Sequence, residues 1–201
     1  MEKRPVVPLN CFFKGSYNPV YEAEIRKGKE KCYRYNALSP NDTEEQREIL
    51  SSLLGKMGEE VIIVPPFWCD FGYNIEVGSR FYANHNFIVQ DGAKVTFGDN
   101  VFIAPNCTIT TAEHAIDPQM RAEGTEISKP VTVGNNVWIG VGATVLAGVT
   151  IGDNSVIAAG SVVVKDIPSD VLAAGVPCRV VRAITDEDRM FQKHNIAPPI
   201  K

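Results

Sequence analysis

Three histidines, His85, His114 and His194, are the only side chains whose ordinary pKa lies near neutrality. An imidazole titrating near about 6.5 suits general-base chemistry, which typically contributes about 10²–10⁴-fold. His114 stands in the polar run TAEHAIDPQMRAEGTEISK (111–129). On position alone it is either a base or a solvated loop histidine. A metalloenzyme built on histidines would need all three to converge, and His194 falls in the C-terminal tail. Cys11, Cys32, Cys69, Cys107 and Cys178 are odd in number, scattered and never in CxxC spacing, so reduced thiols are expected rather than a disulfide framework or a zinc site. Neither GxxxxGK[ST] nor GxGxxG occurs, so no loop of those kinds is available to cradle phosphate.

The elements that must carry these residues announce themselves by a period of six. Val133, Ile139, Val145, Ile151, Ile157 and Val163 are in strict register, and the next position is mostly small. The same frame recurs at Phe97, Ile103 and Ile109 and, offset by a two-residue insertion, at Val77, Ala83 and Val89. A helix would show 3.6 and a simple strand 2. Period six means a short straight segment and a corner, repeated, and three segments close a triangular coil. Coils stacked about 4.8 Å apart by parallel pairing make a mainly β fold, the left-handed parallel β-helix of hexapeptide repeats. Residues 61–111 and 130–181 supply about five to six coils. From Ile109 to Val133 is a multiple of six, so the run 111–129 leaves the prism as a protruding loop and returns in phase. Long polar loops on rigid scaffolds tend to carry function.

The aliphatic composition agrees. The chain has 23 Val and 17 Ile against 7 Leu, and five of the Leu lie before residue 55. Such a skew suits a β body behind a helical head. Residues 20–36 read as one helix. A second follows, with Asp42 as N-cap, Glu45 at N3, an apolar stripe of Ile49, Leu50, Leu53, Leu54 and Met57, and Gly58 as its stop. The expected organisation is a helical segment over 1–60, the β-helix over 61–184 and a tail over 185–201, whose short helix would be capped at Thr185 with Asp188 at N3. The net charge of −4 leaves no electrostatic footprint for nucleic acid. No signal-peptide core or membrane-length apolar stretch is present, so a cytoplasmic protein is expected.

Several segments together point further: PPFWCDFGYNI (65–75), FYANHNFIVQD (81–91), the His114 loop, KPVTVGNNVWIG (129–140), GVTIGDNSVIAAGSVVVKDIP (148–168) and AAGVPCRVVR (173–182). They resemble the maltose/galactoside O-acetyltransferase family of hexapeptide-repeat acyltransferases, and the likeness covers roughly residues 12–184. The resemblance implies a homotrimer that moves an acetyl group from acetyl-CoA to a sugar hydroxyl, in clefts between neighbouring prisms and without a metal.

It also implies roles. His114 would be the general base. Asn84, which follows the inward Ala83, would stabilise the tetrahedral oxyanion; the alternative is a corner asparagine satisfying its own turn. Asp70, Tyr82 and Asp91 match positions around the sugar, and Asn18 lies near the entry-segment sugar contact, usually an Asp. Val141, Ala159, Val164 and Lys165 match the groove of the pantetheine arm, with Arg179 and Arg182 offering charge to phosphate. Two positions depart from the pattern: Val141, where relatives often carry a small polar residue, and His85, where they usually carry an aromatic. The competing readings are transfer to another acceptor (an amino sugar, a glycan or a xenobiotic) and a non-catalytic solenoid subunit.

Overall fold

Aliphatics six residues apart can all point inward only if the chain turns a corner after each short strand, and it does. The computed structural model describes residues 4–188 and Met190, and its body is a parallel β-helix with three faces. The first face stacks Lys56–Met57, Ile75–Val77, Val95–Phe97, Val131–Val133 and Thr150–Ile151. The second stacks Ile62–Ile63, Tyr82–Ala83, Phe102–Ile103, Trp138–Ile139, Val156–Ile157 and Val171–Gly175, with Cys178–Ala183 folded back antiparallel on the last. The third stacks Phe67–Cys69, Phe87–Gln90, Thr108–Thr110, Thr144–Val145 and Val162–Val163. Every aliphatic of the expected ladder is buried, from Val77 to Val163. Phe67, Phe81, Phe87 and Phe97 widen the lower coils and pack ring on ring.

The corners are turned by residues that tolerate left-handed backbone. Asn100, Asn136, Asn154 and Asp170 all have positive φ, and their side chains form a vertical ladder of 2.9–3.0 Å hydrogen bonds. Asparagine and aspartate adopt this conformation more readily than other non-glycine residues, and the ladder pairs side chains that would otherwise compete for water.

One corner is unlike the others. Going from the first face to the second, and from the second to the third, the inward residue recurs after six positions in every coil described. From the third face to the first it recurs after eight (Cys69 to Val77, Val89 to Phe97) in the two lower coils. In the next coil the step from Ile109 to Val133 holds the whole His114 segment. All the extra residues of the β-helix body therefore gather on one edge.

The helical head lies against the lowest coils. Helix α1 spans Pro19–Asn36 and packs on the third face. Asn36 donates to the Phe67 carbonyl at 2.9 Å and accepts from the Phe67 N–H at 2.8 Å. Buried Cys32 meets Cys69, Sγ to Sγ, at 3.5 Å, and the Tyr35 hydroxyl donates to the Ile63 carbonyl. All five cysteines are free thiols.

Helix α2 spans Thr43–Leu53 and buries Ile49, Leu50 and Leu53. It departs from the expected helix at both ends. Asp42 precedes it but makes no side-chain cap; its Oδ2 accepts from Ser39 N–H instead. The helix also stops before Met57, which is already in the first face. Gly55 explains the early stop: its N–H bonds the Ile75 carbonyl, and a Cβ there would lie 2.2 Å from the Tyr73 carbonyl oxygen. At the other end, Thr185 N–H donates to Asp188 Oδ2 at 2.9 Å, half of the expected capping box. Residues 189 and 191–201, with His194, lie outside the described residues.

Candidate active site

The segment 111–129 is a hairpin rather than a loop. Ala112–His114 pairs antiparallel with Thr125–Ser128, and the entry strand Phe12–Lys14 adds to the other side of Thr125–Ser128. A short helix, α3 (Pro118–Ala122), fills the tip, with Asp117 as N-cap accepting from Met120 N–H at 2.8 Å. Arg121 then donates to the carbonyls of Ala115 and Ile116 at 2.9 and 2.8 Å. The backbone just after His114 is thereby fixed at two consecutive carbonyls.

A cavity of about 270 Å³ opens where this hairpin, the extra residues of the third-to-first edge and α1 meet. Its lining includes His114, Asp70, Gln90, Glu126, Tyr17 and Tyr21. His114 is exposed and can meet a bound molecule directly. Asp70 is anchored through its backbone: Asp91 Oδ1 accepts from the N–H groups of Asp70 and Phe71 at 2.9 and 2.8 Å. The contact of α1 with this turn is so close that a Cβ on Gly28 would sit 2.1 Å from the Asp70 carbonyl oxygen. Burial raises the pKa of the Asp70 carboxyl, and Lys29 at 3.6 Å opposes that rise.

Two residues expected at the sugar play other parts. Asp91 is fully buried, with its side chain turned to the backbone of the Asp70–Phe71 turn. Its Oδ2 has no hydrogen-bond partner, and burial pushes its pKa up to about 6. It supports Asp70 instead of presenting a carboxylate to a ligand. Asn18 accepts from Val20 N–H at 3.0 Å as N-cap of α1 and does not line the cavity. From the same segment Ser16 and Tyr17 do line it. The pairing of residues 12–16 with the hairpin, and the presence of Glu126 in the wall, are features of the site that sequence reasoning missed.

The remaining expected residues divide between two edges. Asn84, Val141 and Ala159 follow the second-face strands and run up the second-to-third edge, linked by Asn106 N–H to the His85 carbonyl, Gly142 N–H to Pro105 and Gly160 N–H to Val141. The column is open: Val141 and Ala159 are exposed, and a Cβ on Gly142 or Gly160 would meet nothing within 4 Å. Such a ledge admits a thin chain. Asn84 Oδ1 is held at 2.8 Å by both the backbone N–H and the ring Nδ1 of His85. Its amide N–H groups stay uncommitted among the described residues. The departure at His85 thus orients Asn84. Tyr82 lies on the outer second face with its ring 6.4 Å from that of Phe102.

Val164 and Lys165 lie on the other edge, above Gln90 and Asp91, in the column from which the His114 hairpin departs. Arg179 donates to its neighbour Cys178 carbonyl at 2.7 Å. Arg182 makes a bidentate pair with Asp188 at 2.7 and 2.8 Å. Among the described residues no three His, Cys, Asp or Glu side chains gather as a metal ion would require, and no helix is long and apolar enough to cross a membrane.

Comparisons with known proteins agree with this geometry. Residues 130–165 match the family model of the bacterial transferase hexapeptide (six repeats). Residues 16–58 match the maltose acetyltransferase hexapeptide capping motif. The galactoside O-acetyltransferase of Escherichia coli K12 is 46% identical over 165 residues, covering 82% of this chain and 81% of the relative. Among solved structures, a galactoside acetyltransferase in complex with coenzyme A superposes with a TM-score of 0.86 at 43% identity, over 89% of this chain and 88% of the other. A hexapeptide-repeat acetyltransferase from Vibrio cholerae, complexed with acetyl coenzyme A, superposes with a TM-score of 0.81 at 36% identity, over 87% and 93%.

Proposed function

The chain belongs to the maltose/galactoside O-acetyltransferase family, and from that premise we propose that it moves an acetyl group from acetyl-CoA to a sugar hydroxyl with His114 as general base. The observation that carries the reading is the cavity on the third-to-first edge, where an exposed imidazole and the anchored Asp70 share one wall. Acetyl-CoA is the donor. The ledge of Val141, Gly142, Ala159 and Gly160 fits a narrow pantetheine arm. Lys165, Arg179 and Arg182 are the cations offered to phosphate. Arg182 would have to share its guanidinium with Asp188.

In this reading Asp70 accepts a hydrogen bond from one acceptor hydroxyl while His114 takes the proton from the attacking one. That oxygen bonds to the thioester carbonyl carbon, and the oxyanion so formed accepts from the Asn84 amide. One such donor can be worth about 10²–10³-fold. Collapse breaks the carbon–sulfur bond, and the imidazolium returns its proton to the departing thiolate. The thioester is activated already, so the protein supplies placement, a base and a donor.

Asn84 and His114 stand on different edges of one prism. Direct transfer needs the base and the oxyanion donor around one carbon, with reacting atoms about 3–3.5 Å apart. The homotrimer that the family resemblance implies, with sites between chains, would meet that requirement by setting a neighbour's second-to-third edge against the His114 edge. The outer second face supports this: Ile62, Tyr82, Phe102 and Trp138 stack in one column in which Ile62, Phe102 and Trp138 are exposed, the kind of surface that marks an interaction site. The acceptor is tested by thiol release from acetyl-CoA against a panel of mono- and disaccharides, with amino sugars included. Acceptor-dependent release with a neutral sugar supports the reading, and no release with any acceptor overturns it.

A further inference from the structure

We propose that Glu126 is a positioning residue for His114, held in place by the N-terminal arm; the inference rests on His114 being the base. In the hairpin His114 and Glu126 are directly opposite each other. Residues so placed in an antiparallel pair share a face, with Cβ atoms about 4.5–5.5 Å apart. Both line the cavity.

The surroundings of Glu126 are arranged to keep its carboxylate there. Ser16 donates its hydroxyl to Glu126 Oε2 at 3.2 Å. Gly15 lies under the same carboxylate, where a Cβ would come within 1.8 Å of Oε1. The arm that delivers Gly15 and Ser16 is tied down in turn, because both N–H groups donate to the Gly124 carbonyl at 3.1 and 3.2 Å. The other two glutamates of the hairpin segment are neutralised by lysines, Glu113 by Lys129 at 3.0 Å and Glu123 by Lys14 at 2.5 Å. Among the described residues no cation pairs with Glu126.

A carboxylate left unneutralised opposite the base has a defined use. When the imidazole takes the acceptor's proton it becomes a cation, and a fixed negative charge beside it favours that state and the ring orientation that produces it. Catalytic hydrogen bonds tighten on substrate binding, so the pairing completes as the cation forms. The hydroxyl of Ser16, the bare Cα of Gly15 and the strand pairing of residues 12–14 thus acquire a shared purpose at the reacting centre.

The test is a double-mutant cycle on the full chain. Glu126→Gln keeps the shape and removes the charge, and is expected to lower kcat by about 10- to 100-fold with little change in the KM for either substrate. In the His114→Ala background the same change is expected to cost nothing more, because it acts through the imidazole. An unchanged kcat in Glu126→Gln overturns the inference, as does a loss confined to acceptor KM or one equally large in both backgrounds. His114→Ala alone keeps the two readings apart. If that variant turns over normally, the base assignment fails; if it is inactive while Glu126→Gln is normal, only the present inference fails. Melting temperatures and acetyl-CoA binding of each variant identify a variant that has lost its fold, and Glu126→Asp then repeats the arm, with partial recovery of kcat expected and none contradicting the proposal.

Discussion

Asp91 and Asp70 are neighbouring carboxylates made different by burial and by what each one binds. Asp91 spends one oxygen on two backbone N–H groups and leaves the other buried without a partner. Its pKa rises from 3.8 to about 6, chiefly through burial. The folded state therefore holds this proton more tightly than the unfolded chain, and linkage fixes the sign. The group's stabilising contribution is complete below about pH 4 and is lost as pH rises through about 6. Asp91→Asn keeps an acceptor for both N–H groups and cannot titrate. Its melting temperature should vary less with pH across that window than that of the parent, and parallel profiles would show that Asp91 does not titrate there. At His114 the expected outcome is kinetic: His114→Ala should lose about 10²–10⁴-fold in kcat while circular dichroism and acetyl-CoA binding are retained, and near-normal turnover would sink the assignment. The base role of His114 came from the resemblance alone, while the frame made the excursion that carries it and the outward placement of Asn84 legible in the sequence. Burial of Asp91 was not, because the ladder marks inward positions only where the spacing is six. Asn18 carried a missed signal, since asparagine followed by proline is the pattern of an N-cap with proline at the first helical position.

Elements show the same division. Strands of two or three residues were readable because each repeats the one six residues earlier, and their aliphatics all proved buried. What could not be read was the pairing of Phe12–Lys14 with Thr125–Ser128, which joins segments over a hundred positions apart and has no periodicity of its own. The seating of α1 on the prism was equally hidden. It depends on Asn36, whose amide satisfies the N–H and the carbonyl of Phe67 together. Asn36→Ala would leave both backbone groups without these bonds, and a cost of about 1–3 kcal/mol is expected. Chemical denaturation measures it. An unchanged midpoint would mean that α1 is held without this contact, by Cys32, Tyr35 and the close approach of Gly28.

For the whole molecule, the β-helix is a ruler with its irregularities confined to one edge. Upper coils are plain and offer an open ledge; lower coils carry insertions, the helical head and the cavity. That arrangement puts His114 on one edge and Asn84 on another, which makes a site shared between chains the central claim of the proposed mechanism. Mixing two inactive variants tests it most directly. His114→Ala and Asn84→Ala are unfolded together in equal amounts, refolded and assayed for acetyl transfer. If each site takes its histidine from one chain and its asparagine from the neighbour, roughly a quarter of the sites in randomly mixed cyclic trimers regain both groups. Activity should then recover toward that fraction of the parent's. If both residues serve a site within one chain, every site keeps a defect and the mixture stays as inactive as its components.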